Sequence, residues 1–189
     1  MKSRIGLLGG TFNPIHVGHL EIAKAALNLL NLDKLIFIPA GNPWQKDDFI
    51  SFEHRLNMLK LATKDLEKVE ISEIEKDEDK PSFTYQTLQE FHSIYPEAEF
   101  IFLMGSDAIK NFGTWKEPNL IKTLARIYVV PRQNDPIVDW HFARLQYSPI
   151  SISSSQIRDK IKNGESIEEY VPTEVIEYIK ANQLYKFSV

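Results

Sequence analysis

Two of the five histidines, His16 and His19, stand three residues apart around Gly18 in the stretch GGTFNPIHVGHL, residues 9–20. At a helix start that spacing puts both imidazoles on one face, where they can aim at one point. The first turn of a helix adds unpaired N–H groups and the positive end of the dipole. Gly9 and Gly10 follow the apolar run Ile5-Gly6-Leu7-Leu8 and allow a sharp turn with close approach to a ligand. Pro14 restricts the loop, and Gly18 leaves room between the two rings. Such a pocket suits phosphate. Metal binding is the rival reading, but zinc helices space their histidines four apart, and only Glu21 lies close enough to be a third ligand. Local hydrogen bonding in a helix-start loop is the plainer alternative. Neither Gly-x-Gly-x-x-Gly nor the Walker Gly-Lys-Ser/Thr occurs, so hydride transfer and P-loop hydrolysis lose their main support.

The elements that must hold this stretch alternate. Arg4 to Gly9 reads as a buried strand, and a helical period through Leu20, Ala23, Leu27 and Leu30 runs to Asn31. Lys34–Pro39 is a second strand, and Ser51 can cap a helix bearing Leu56, Leu59 and Ala62. Val69 to Ile74 alternates as a strand, and EKDEDKPS after it reads as a solvated acidic loop. A helix from about Phe83 to Tyr95 leads to the apolar strand Glu99–Met104, and Arg126–Val130 is another strand. A sixth is expected near Pro149–Ile152. Ser153 with Gln156 fits a capping box, Gly164 fits the position past that helix, and Pro172 starts a last helix through Ile176 and Ile179. Continuous apolar strands alternating with helices predict one α/β domain over residues 1–189, a doubly wound parallel sheet. Ligands of such sheets bind at the carboxyl ends of the strands, where the strand order reverses.

Composition narrows the chemistry. The absence of cysteine excludes disulfides, thiol catalysis and thiolate metal sites. A net charge of −4 argues against a broad nucleic-acid surface, so a polyanion must be met by a few local cations. The N-terminal apolar run is too short for a signal peptide and no stretch could span a bilayer, so a cytoplasmic protein is expected.

At this point the chain resembles the nucleotidylyltransferase family, marked by (T/S)F(D/N)PxHxGH at the first strand-to-helix turn and by ISSTxIR, here ISSSQIR at 152–158. Within it the bacterial nicotinate-nucleotide adenylyltransferases are most similar, through IPAGNPWQK, FTYQTL, FLMGSDAIKNFGTW, VVPR and YVPTEVIEYIKANQLY. Asn13 stands for the commoner aspartate, Trp44-Gln45 for Pro-His, and Gln86 for the aspartate of TYDTL. The resemblance implies a Rossmann-like fold and adenylyl transfer from ATP, with Mg²⁺, to nicotinate mononucleotide. His16, His19, Lys46 and Arg158 would then be catalytic. Gly9, Gly10, Thr11, Phe12, Gly105, Asp107 and Ser154 would join His16, His19 and Arg158 on ATP. Thr84, Tyr85, Trp115, Lys46 and Arg132 would bind the mononucleotide, with no metal ligand from the protein. Asp107 could equally cap a helix, Trp115 could be core, and His54, His92 and His141 read as structural or surface residues. Nicotinamide-nucleotide, pantetheine-phosphate and cytidylyl transfer are alternative activities, and a non-catalytic nucleotide-binding module is an alternative of another class. The implied partners are small molecules, not nucleic acid or membrane, and a homo-oligomer is left open.

Overall fold

In the computed structural model, which describes residues 2–42, 49–132 and 142–186, six strands form one parallel sheet. They are β1 (Arg4–Gly10), β2 (Lys34–Pro39), β3 (Val69–Ile71), β4 (Glu99–Gly105), β5 (Arg126–Val130) and β6 (Ala143–Arg144). Their order is β3-β2-β1-β4-β5-β6, and every neighbouring pair is parallel. This is the doubly wound order, with its switch point between β1 and β4.

The helices are α1 (Val17–Leu29), α2 (Phe52–Thr63), α3 (Thr84–Ile94), α4 (Ser106–Lys110), α5 (Pro118–Leu124), α6 (Ser154–Lys162) and α7 (Thr173–Ala181). Strand alternation divides the core in two. Leu8, Leu35, Phe37, Ile101 and Leu103 pack on one face with residues of α1, α2, α6 and α7. Ile5, Leu7, Ile36, Ile38, Phe100, Phe102 and Met104 pack on the other with Leu88 and Phe91 of α3 and Ile121 of α5. Both faces are covered, which is why the strands read as unbroken apolar runs.

Several expectations need correction. The sixth strand is Ala143–Arg144, paired to Tyr128 and Val129, whereas 149–152 is irregular. β3 stops at Ile71, three residues short of the expected end. α4 and α5 are too short to show a helical period; α5 opens with Pro118 at its first turn after Glu117, whose φ is 54°. Ser51 occupies the N-cap of α2 without a side-chain bond, and the Phe52 N–H donates instead to Glu78 Oε1 at 2.9 Å. The Ser153–Gln156 capping box is present, and Gly164 has φ 70°, as the end of α6 requires.

Candidate active site

A cleft of about 520 Å³ opens at the carboxyl ends of β1 and β4. Gly9, Gly10, Thr11, His19, Thr84, Gly105, Asp107, Trp115 and Arg132 line it. The switch point therefore brings together residues spread over more than half of the sequence.

On the β1 side the chain turns into α1 through a tightly constrained loop. Phe12 has φ 51°, a left-handed conformation costly for a side chain with Cβ, and the Asn13–Pro14 peptide is cis. The Phe12 ring is 2 % exposed and packs edge-on against His19 at 5.1 Å and Phe37 at 5.5 Å. Gly10 must lack a side chain, because a Cβ there would lie 2.9 Å from Phe12 Cζ.

His16 caps α1, and its ring lies 3.8 Å from that of His19. The two occupy the reciprocal positions of a capping box. Of its two halves, the closed one is the His16 N–H donating to His19 Nδ1 at 3.3 Å. An Nδ1 that accepts carries no proton, so the His19 proton sits on Nε2. His16 is buried beneath His19 and does not line the cleft; its Nδ1 has no hydrogen-bond partner among the described residues. Burial, with the nearby Arg132 cation adding to it, pulls its pKa down to about 4, so both rings stack without sharing a charge from His16.

Behind this turn lies α6. Arg158 Nη1 donates to the Asn13 carbonyl at 2.9 Å, and Ser154 Oγ donates to the Pro14 carbonyl at 2.9 Å. Neither lines the cleft; they border the turn from outside, and the Ser154 hydroxyl is committed to the backbone.

The β4 side is built by α3 and the segment after β4. Phe83, the N-cap of α3, makes no side-chain bond, and its carbonyl receives the Gln86 and Thr87 N–H groups. The Thr84 and Tyr85 amides thus have no acceptor within the helix. Tyr85 does not line the cleft, and its ring stacks against Phe83 at 6.3 Å. Gln86 is exposed and away from the cleft. Trp115 packs against Phe102 at 6.5 Å and Phe112 at 5.8 Å while keeping a wall on the cleft. Asp107 and Arg132 form an ion pair of 2.7 Å at the rim. Lys46, Trp44, Gln45 and His141 lie outside the described residues.

Sequence reasoning missed three groups. Glu75 begins the segment read as a solvated loop, yet it lines the cleft, accepts the Thr87 hydroxyl at 2.5 Å, and burial pushes its carboxyl pKa up. Lys116, also on the cleft, lies 4.4 Å over the Phe83 ring. Arg55 is wholly buried and donates to the carbonyls of Thr11 at 3.1 Å, Ala40 at 2.6 Å, Gly41 at 3.1 Å and Ile50 at 2.9 Å. An arginine in the polar register of an amphipathic helix carries no sign of burial. Its targets are carbonyls, which every residue has. His54 and His92 serve packing: one meets the Tyr178 hydroxyl at 3.0 Å, the other the Leu124 carbonyl at 2.7 Å.

Comparison with known proteins agrees with this architecture. The profile of the cytidylyltransferase-like family matches residues 7–160. A probable nicotinate-nucleotide adenylyltransferase of Dehalococcoides mccartyi is 38% identical, with 96% of this chain and 97% of that protein aligned. One of Thermus thermophilus is 36% identical over 97% of this chain and the whole of that protein. In fold, nicotinic acid mononucleotide adenylyltransferase of Plasmodium falciparum, complexed with NaAD, superposes with a TM-score of 0.85 over 97% of both chains at 22% identity. The chain belongs to the cytidylyltransferase-like family and, within it, to the nicotinate-nucleotide adenylyltransferases.

Proposed function

We propose that this chain joins ATP to nicotinate mononucleotide, giving nicotinate adenine dinucleotide and pyrophosphate in NAD biosynthesis. One observation carries the reading: the starts of α1 and α3 open on the same cleft from opposite sides of the β1–β4 switch point. The α1 side brings the His19 ring and the positive end of its helix dipole, suited to a triphosphate. The α3 side brings amides without a helical acceptor and its own dipole end, suited to an acceptor carboxylate.

The attacking phosphate monoester has its second pKa near ~6 and is largely dianionic at neutral pH. No general base is needed. Catalysis rests on aligning the two phosphates and stabilising charge around the pentavalent phosphorus. His19 donates from Nε2 to the bound phosphates, and His16 holds it there by stacking and through its backbone N–H. Arg158 has guanidinium donors beyond the Nη1 held by Asn13, and these, with Lys46, neutralise the triphosphate. Trp115 stacks on the pyridine ring, and the Thr84 and Tyr85 amides meet its carboxylate.

No three His, Asp or Glu side chains gather into a metal cage among the described residues. Magnesium keeps several of its waters and is held largely by substrate phosphates. The ion would come with ATP and neutralise charge on it. Its use of ATP supports a cytoplasmic reaction, with small molecules as partners.

Mixing the protein with ATP and, separately, nicotinate mononucleotide, nicotinamide mononucleotide and pantetheine phosphate tests the reading through pyrophosphate release. Nicotinate mononucleotide should give the fastest release. Release with none of the three would reduce the chain to a nucleotide-binding module.

A further inference from the structure

The turn that carries the histidines is held from the far end of the sequence. Asn13 is 4 % exposed, and its Oδ1 accepts the Tyr185 hydroxyl at 2.9 Å and, at the limit of 3.5 Å, the Ile50 N–H. Its backbone carbonyl accepts Arg158 Nη1 at 2.9 Å. One buried residue thus links the C-terminal segment to the arginine assigned above to the triphosphate. We propose that Tyr185 is a positioning residue for ATP, fixing the Asn13 turn so that Arg158 and His19 face the phosphates together.

The anchor behind the hydroxyl is firm. Leu184 is in the core, and its N–H bonds the Ile179 carbonyl at 3.0 Å, closing the end of α7. α7 is tied to α2 through Tyr178, whose hydroxyl meets His54 Nδ1 at 3.0 Å and Asn57 Nδ2 at 3.2 Å. Tyr185 itself has φ 63°, a conformation that aims its ring at the turn and that only surrounding structure can impose. Its phenol is partly buried and pushed above the ordinary tyrosine range by that burial, so it stays a donor throughout the working pH range. Asn13 takes the bond through a side-chain oxygen that aspartate, commoner at this place in the motif, also has.

The proposal rests on the assignment of Arg158 to ATP, and the test separates the two. ATP, pyrophosphate and nicotinate mononucleotide are titrated calorimetrically into the wild-type chain and into Tyr185→Phe, Arg158→Ala and the double variant, well below their melting temperatures. Tyr185→Phe keeps the ring and its packing. It should weaken ATP and pyrophosphate at least fivefold while leaving the mononucleotide within twofold, and should add less than twofold in the Arg158→Ala background. A role in stability alone would lower the melting temperature and leave all three affinities unchanged, which would overturn the proposal. So would a full Tyr185→Phe effect in the absence of Arg158. Unchanged ATP affinity in Arg158→Ala would instead remove the assignment of Arg158, and the proposal with it.

Discussion

At the residue scale the site depends on two imidazoles that differ in what they can do. His19 reaches the cleft with its proton on Nε2, because Nδ1 is occupied by the His16 N–H. Replacing it with alanine removes a donor to the reacting phosphates and should lower kcat by roughly 10²–10³, the scale of losing one such group. Turnover near wild type in folded His19→Ala protein would contradict the assignment. His16 works from underneath, neutral and buried. Its pKa of about 4 lies below the value of an exposed histidine, so the unfolded chain takes up a proton first as pH falls. The stability tied to neutral His16 is whole above about pH 6.5, declines from there, and is gone below about 4. Its size is about 3 kcal/mol. Urea unfolding at pH 7 and pH 4.5 should therefore show a smaller acid loss in His16→Asn than in wild type. Equal losses would mean that His16 is accessible to protons in the native state. The pairing of the histidines was legible from their spacing, but their division of labour was not, since sequence carries no record of which ring lies below the other.

At the scale of elements, the start of α1 shows how tightly local geometry is drawn. Gly18 sits in the first turn, where alanine would improve helix propensity by about 1 kcal/mol. A Cβ there would meet His16 Cε1 and Nδ1 at 3.0 Å, so the ring must give way, and with it the stack on His19. Gly18→Ala should lose tenfold or more in kcat with no loss of melting temperature. A variant both stable and fully active would show that the ring has room. The long strands and α1, α3, α6 and α7 were readable because each presents a continuous run or a clear period. β6 was misplaced because two residues of strand, Ala143–Arg144, make no pattern, while Pro149–Ile152 imitates one. Arg55 is the element-scale feature that could not be read at all. It joins the segments after β1 and β2 to the start of α2, and removing it leaves four carbonyls short of a donor. At about 1–3 kcal/mol for each buried group left unpaired, with partial relaxation, Arg55→Met should cost roughly 3–5 kcal/mol. A melting-point fall of under 5 °C would show that water can replace the guanidinium.

For the molecule as a whole, the doubly wound order does the sorting. β1 and β4 diverge at the switch point, so the phosphate turn and the α3 side face each other across one cleft, and substitutions should divide by substrate. Trp115→Ala should mainly raise KM for the mononucleotide, losing about 0.5–1.5 kcal/mol of stacking, and leave ATP binding alone. The same geometry bears on the choice between nicotinate and nicotinamide mononucleotides, which differ by a carboxylate against a neutral amide on the ring. A protein of net charge −4 gives no general welcome to another anion, so any preference must be local. The uncapped start of α3 supplies amide donors and a positive dipole end, and Lys116 adds a cation at the same wall. Gln86, whose amide could have accepted from nicotinamide, is exposed and off the cleft, so it does not narrow the difference. Glu75 does face the cleft, but its carboxyl already accepts the Thr87 hydroxyl and is partnered by Ser82. Nicotinamide would turn its NH₂ toward the α3 donors and leave buried groups unpaired, at about 1–3 kcal/mol per group. The acid should therefore be preferred at least tenfold in kcat/KM. Steady-state assays with both mononucleotides at saturating ATP decide it: equal efficiencies would mean that the α3 start does not bind the carboxylate, while the placement of ATP on the β1 side would stand.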